Sequence, residues 1–158
     1  MTTPNDNKYL TFFLGDEEYG IAILRVHEII GTLPITRIPR LRPYVRGVVN
    51  VRGRVISVVD LRLRFDLPAI EPGPRSCIVV VRAHDTQVGL LVDRVSEVLD
   101  IEPGAVTPTP PLGADTPADF LVGVANTLGR VRLLLDVDRV LDGRAGDAPA
   151  PAASDATA

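Results

Sequence analysis

Two blocks of this chain recur further along it in the same order, and this internal repeat limits the possible folds more than any other feature of the sequence. Gly20-Ile-Ala-Ile-Leu-Arg-Val-His-Glu-Ile29 matches Gly89-Leu-Leu-Val-Asp-Arg-Val-Ser-Glu-Val98 at an offset of 69, keeping Gly, Arg, Val and Glu with apolar positions in register. Gly47-Val-Val-Asn-Val-Arg-Gly-Arg-Val-Ile-Ser-Val-Val-Asp60 matches Gly123-Val-Ala-Asn-Thr-Leu-Gly-Arg-Val-Arg-Leu-Leu-Leu-Asp136 at an offset of 76, with seven identities in fourteen. The seven additional residues fall in the Pro-rich connection from Glu102 to Ala118, as a loop insertion between two copies of one unit would place them. One block could arise by chance; two in the same order point to duplication.

The copies are built from β-branched residues. The chain holds 21 Val and 10 Ile, which are stiff at Cβ and suit a pleated surface, and this argues against a helical bundle. Its 13 Gly and 14 Pro break the extended runs often. Strands are expected at 8–14, 18–23, 35–38, 45–51, 55–59, 76–83, 86–92, 120–126 and 130–135. Helical turns are expected at Leu24 to Ile29, Asp60 to Phe65, Asp93 to Leu99 and Val137 to Leu141, three of them beginning at or just after an Asp able to cap them. Each copy, roughly 65 residues, reads as a small five-stranded barrel, below the size at which a core stands comfortably alone. The fold class is therefore all-β: two tandem five-stranded barrels, 8–70 and 75–142, packed on each other, with exchange of strands between them allowed. Residues 1–7 are polar and expected to be disordered, and 143–158 form an Ala/Pro-rich tail without apolar anchors.

The function classes narrow by elimination. No GxxxxGK[ST] or GxGxxG occurs, which argues against a nucleotide cradle. His27 and His84 have no ligand partners at zinc spacing, and no metal or cofactor is expected. Cys77 opens an apolar run and reads as a buried structural thiol. Asp60 and Asp136 occupy equivalent positions after a strand and before a helical turn, where capping explains both, and Asp138 needs no metal. A lone cysteine, an N-terminus with no basic-then-apolar pattern and the lack of a membrane-length apolar run lead to the expectation of a soluble protein of the reducing cytoplasm. The chain carries a net charge of −3, yet from Arg25 to Arg64 nine Arg face only Glu28 and Asp60. That segment reads as a solvated face, as a protein interface or, as an outside alternative, as a small-barrel RNA binder. The last is disfavoured by the scarcity of aromatics and the acidic whole.

Several ordered blocks then resemble one family. Gly15-Asp-Glu-Glu-Tyr-Gly-Ile21, Val26-His-Glu-Ile29, Ile38-Pro39, Pro43-Tyr-Val-Arg-Gly-Val-Val-Asn-Val-Arg-Gly53, Val58-Val-Asp-Leu-Arg62 and Val88-Gly-Leu-Leu-Val-Asp-Arg-Val95 together resemble the CheW family of bacterial chemotaxis coupling proteins. Val51 stands where Leu is usual, and Ser57 where Pro is frequent. The resemblance implies two SH3-like barrels and a non-enzymatic adaptor. It would link the cytoplasmic tips of methyl-accepting receptors to the histidine kinase CheA, whose regulatory domain the barrels resemble, at the inner face of the membrane. It also implies a partner-contact region at Val26, Glu28, Ile29, Gly47, Asn50, Val51 and Arg52, with a receptor helix laid in an apolar groove. A coupling protein of the same fold in a pilus or gliding pathway is the alternative.

Overall fold

The computed structural model describes residues 7–39, 42–83, 85–108, 120–127 and 129–142. The expected disordered N-terminus, Asn7 apart, and the expected tail lie outside these residues. The first half supplies β1 (Lys8–Leu14), β2 (Glu17–Ala22), a 3-10 turn (Ile23–Arg25), β3 (Val26–Gly31), β4 (Val45–Val51), β5 (Arg54–Asp60) and α1 (Leu61–Arg64). The second half supplies β6 (Cys77–Ala83), β7 (Thr86–Val92), β8 (Arg94–Asp100), a 3-10 turn (Pro103–Ala105), β9 (Val106–Thr107), β10 (Leu121–Thr127), β11 (Arg130–Leu135) and α2 (Val137–Asp142).

The strands form two small barrel-like units, and each takes strands from both halves. One sheet runs β8-β1-β2-β11-β10-β9 and the other β3-β6-β7-β5-β4. The first hairpin of each copy is thus exchanged: β1 and β2 pair with second-half strands, while β6 and β7 pair with β3 and β5. The two sheets are built alike. In both, a parallel pairing joins the exchanged hairpin to the last strand of the other copy. In both, the β10-type strand is bridged from outside, at Thr36–Val48 in one and Thr107–Val124 in the other.

Three apolar clusters follow from this topology. The largest joins Leu10, Phe12, Tyr19 and Ile21 of the six-stranded unit to Val79, Val81, Leu90 and Val92 of the five-stranded one. A second fills the five-stranded barrel with Val49, Val51, Ile56, Val58, Ile78, Val80 and Leu91, while among the described residues the third, in the six-stranded barrel, is Ile101, Ala125 and Leu134. Each fully buried aliphatic side chain contributes about 1.5–3 kcal/mol, so the shared cluster is what makes the two units one body.

Two expectations are corrected. The helical turns at Leu24–Ile29 and Asp93–Leu99 are mostly strand, β3 and β8. Val26, Ile29 and Ile30 fit a helical spacing, but they are β-branched, and β3 alternates half-buried and exposed positions along an edge that pairs with β6. The expected strand 35–38 reduces to a single bridge at Thr36. The expected capping is present: Asp60 caps α1, accepting from the Arg62 N–H at 2.9 Å and the Leu63 N–H at 3.4 Å, and Asp136 accepts from the Arg139 N–H at 3.2 Å.

Candidate interaction site

Among the described residues no three His, Cys, Asp or Glu side chains converge as metal ligands would. Cys77 is half-buried at the start of β6, its thiol 3.4 Å from the Arg75 carbonyl, rather than fully buried as expected. His27 is exposed on β3 instead of on a helical turn, its Nε2 3.6 Å from a Glu28 oxygen. His84 lies outside the described residues. No helix among the described residues is long and apolar enough to cross a membrane.

The residues expected to contact partners gather on the two edge strands of the five-stranded sheet, and each has a definite local role. Arg52 and Gly53 form the two-residue loop between β4 and β5, with φ of +52° and +86°. Both central residues of a type I′ turn need positive φ, and the strand twist selects that turn. Asn50 steadies it by accepting the Gly53 N–H at 2.8 Å. The Arg52 guanidinium then reaches Glu28 on β3, its Nη1 donating to Oε1 at 2.7 Å and Oε2 at 2.8 Å. Glu28 is paired in register with Val80, a residue of the barrel interior, so the ion pair spans the seam between the open edges of β3 and β4.

Only part of the expected set faces solvent. Ile29 is 43% exposed, and the Arg52 side chain is 75% exposed. Val26 is half-buried against the shared core, and Val51 is buried inside the barrel. Gly47 is covered: a Cβ there would lie 2.1 Å from the Thr36 carbonyl oxygen, and its φ is +145°. It serves the close approach of the 35–37 segment to β4. The exposed members are Ile29 on the outward face of β3, Asn50, and Arg52 at the turn, with Glu28 half-buried on the opposite face of β3 from Ile29.

Residues outside the expected partner-contact set complete the setting. Val55 is an exposed apolar residue at the start of β5. Arg54 hydrogen-bonds Gln87, and Arg25 pairs with Asp138 at 2.6 Å. Arg62 grips Asp93 at 2.6 Å. Burial pushes the Asp93 carboxyl up, but the Arg62 fork, the Gly15 N–H and the charges of Arg62 and Arg94 outweigh it and hold it below the ordinary aspartate value. The repeat offset carried a signal for these pairs, since it places Arg62 and Asp138 at equivalent positions with opposite charge.

The structure is thus a two-unit, strand-exchanged β scaffold whose exposed polar and apolar groups lie along a seam and an edge strand. The sequence model of the CheW-like domain family matches residues 8–145, and the chain belongs to that family. It is 37% identical over 138 residues to the chemotaxis protein CheW of Rhizobium meliloti (strain 1021), covering 87% of this chain and 89% of that one. It is 29% identical over 124 residues to protein FrzA of Myxococcus xanthus, covering 78% and 77%. The crystal structure of the scaffolding protein TtCheW from Thermoanaerobacter tengcongensis superposes with a TM-score of 0.81 at 30% identity, over 88% of this chain and 94% of that one. Members of this family are scaffold or adaptor proteins of chemotaxis.

Proposed function

We propose that this chain is a chemotaxis adaptor. It couples the cytoplasmic tips of methyl-accepting chemoreceptors to the regulatory domain of the histidine kinase CheA, by binding and without catalysis, in the cytoplasm beneath receptor arrays. The observation that carries the reading is Ile29, an exposed apolar residue on the edge strand β3, one residue along from Glu28, whose pair with Arg52 lies toward the other face of the strand. This combination suits a helix that brings an apolar stripe and a polar rim. Val26, Gly47, Asn50 and Val51 set the edge and the turn, while Glu28, Ile29 and Arg52 make the contact. Reconstitution tests it: the purified chain with a receptor-tip fragment and the kinase should raise autophosphorylation above that of the kinase with either component alone, with no ATP turnover by the chain itself. Failure to bind both partners, or hydrolysis that survives repurification, overturns the reading. The likeness to FrzA supports a second one, coupling in a non-flagellar pathway of pilus or gliding motility. The kinase recovered with the chain from native lysate separates the two.

A further inference from the structure

The chain passes between its two sheets twice, and each passage is gripped by a forked ion pair. From β2 it crosses to β3 through the 3-10 turn ending at Arg25; from β7 it crosses to β8 through Asp93. At the first crossing, Arg25 Nη2 lies 2.6 Å and Nη1 3.3 Å from the two oxygens of Asp138 in α2, and Arg25 Nε and Nη2 also donate to the Arg82 carbonyl at 3.1 and 2.7 Å. At the second, Arg62 of α1 donates from Nε and Nη2 to the two oxygens of Asp93 at 2.8 and 2.6 Å. Asp93 also accepts the Gly15 N–H at 2.7 Å, and its own N–H donates to the Phe13 carbonyl at 3.1 Å.

The two clasps mirror each other. Arg82 is the repeat equivalent of Phe13, so the same carbonyl is held in each unit, by a guanidinium in one and a backbone N–H in the other. Asp138 is the equivalent of Arg62, so helix and crossing have exchanged charge; Arg25 lies one position beyond the equivalent of Asp93. Each clasp joins three parts: a crossing, the helix that follows the last strand of one repeat, and a backbone group of the opposite sheet. In each clasp the ion pair lies at the ends of two neighbouring parallel strands of one sheet, and its crossing residue carries it to the backbone of the opposite sheet, Arg25 to the Arg82 carbonyl and Asp93 to the Gly15 N–H and Phe13 carbonyl. The Arg62–Asp93 clasp is the more buried of the two.

We propose that the Arg25–Asp138 and Arg62–Asp93 clasps are positioning residues that fix the angle between the two barrels, and with it the relative placement of partners held on different barrels. This rests on the coupling function proposed above for its consequence, though not for its geometry. The more exposed Arg25–Asp138 clasp is the side that yields first.

The test has two arms. In the first, spin labels at Val55 and Val122, in a Cys77→Ser background, report the distance distribution between the two sheets. The full-length protein should give one narrow distribution. Asp93→Asn and Arg25→Gln should each shift or broaden it, and Arg62→Asp combined with Asp93→Arg, which copies the polarity of the other clasp, should restore it. In the second arm, Asp93→Asn should leave binding to receptor-tip fragment and to kinase regulatory domain separately within about twofold, while lowering kinase stimulation in the assembled complex at least about threefold. Arg62→Lys, which keeps the charge but loses the fork, replaces Arg62→Asp if the latter does not fold and should remain partly broadened. Unchanged distances and stimulation alongside a lowered melting temperature overturn the proposal and leave the clasps as stability contacts. The label arm needs no partner, so lack of stimulation by the unaltered protein refutes the coupling reading while the distances still decide the clasps.

Discussion

Glu28 and Glu97 are equivalent residues of the two repeats, and each faces an arginine that comes from a different place. Glu28 meets Arg52 at 2.7 Å, on the exposed tip of the β4–β5 hairpin. Glu97 meets Arg132 at 3.8 Å, whose side chain is 1% exposed inside the six-stranded barrel. Arg132 replaces the equivalent Ile56, and its second carboxylate, Glu18 at 3.1 Å, replaces the equivalent Gln87. One barrel therefore has an apolar interior and a charged rim, while the other carries its cation within. Both keep the outer arginine on the paired position: Arg130 donates to Glu18 at 2.8 Å, and Arg54 donates to Gln87.

This difference predicts a non-additive pair. Glu18→Gln leaves Arg132 buried with one more distant carboxylate, and removing one partner of a buried ion pair costs about 3–5 kcal/mol. Replacing both by the residues of the other barrel, Glu18→Gln with Arg132→Ile, should lie within about 1 kcal/mol of the unaltered protein, since both charges leave together. Denaturant unfolding of the two singles and the double measures this. Additive losses would show that Arg132 is held by Thr127, whose hydroxyl accepts from it at 2.8 Å, rather than by Glu18.

Gly47→Ala should destabilise by at least about 2–4 kcal/mol, because a methyl group meets backbone rather than a movable side chain and the residue keeps a positive φ. The affected contact is the 2.1 Å approach to the Thr36 oxygen. Loss of partner binding in this variant would follow from displaced β4, so the check is a melting curve taken beside the binding assay. An unchanged melting temperature would show that the 35–37 segment moves aside freely.

Strand exchange makes a prediction about the halves. A break between Gly73 and Pro74 leaves each fragment with strands of both sheets and a complete version of neither. Either fragment alone should lack cooperative unfolding, and the two mixed should form a one-to-one complex with the β-rich spectrum of the whole chain. Independent folding of the first fragment would require the β1–β2 hairpin to take the place of β6 and β7 beside β3 and β5.

Stability should also weaken on acidification through Asp93. Its folded-state pKa lies below the unfolded value, so its contribution is complete above the ordinary aspartate range and is lost as pH falls through the folded-state value. The melting-temperature gap between the unaltered protein and Asp93→Asn should therefore be widest near neutrality and shrink toward pH 3, on the scale of aspartate titration. A gap constant with pH would mean that Asn replaces the carboxylate in every contact that matters.

The repeat, most strands and both capping aspartates were legible in the sequence, because each rests on local chemistry: β-branched runs and Asp before a helical turn; the residues at the β4–β5 hairpin were named through the family resemblance. Strands β3 and β8 were not, since a six-residue apolar pattern fits either period and only pairing with β6 and β1 decides it. The exchange of hairpins was open for the same reason: identical local patterns allow pairing within a copy or between copies. Glu28 and Arg52 were both named, but their contact, across 24 residues and two strand edges, depends on barrel closure that no local pattern encodes.

The sharpest functional prediction concerns Arg52. Its side chain is 75% exposed, and its pairing with Glu28 is a surface ion pair, which contributes between about 0 and 1 kcal/mol to folding. Asp tolerates the left-handed backbone that the turn imposes at φ +52°, so Arg52→Asp should fold with a melting curve close to that of the unaltered protein. At the surface the change is larger, because a carboxylate now faces Glu28 and whatever acidic groups a partner sets against the original cation. Affinity for the receptor-tip fragment or the kinase regulatory domain should fall at least about tenfold, or about 1.4 kcal/mol. Glu28→Arg combined with Arg52→Glu separates two causes: it rebuilds the intramolecular pair but reverses its direction. Binding restored by this double swap would mean that the partner needs the closed seam, while binding still lost would mean that it reads the Arg52 charge itself. Titration by calorimetry against each partner makes the measurement, and full affinity of Arg52→Asp for both would remove Arg52 from the contact surface.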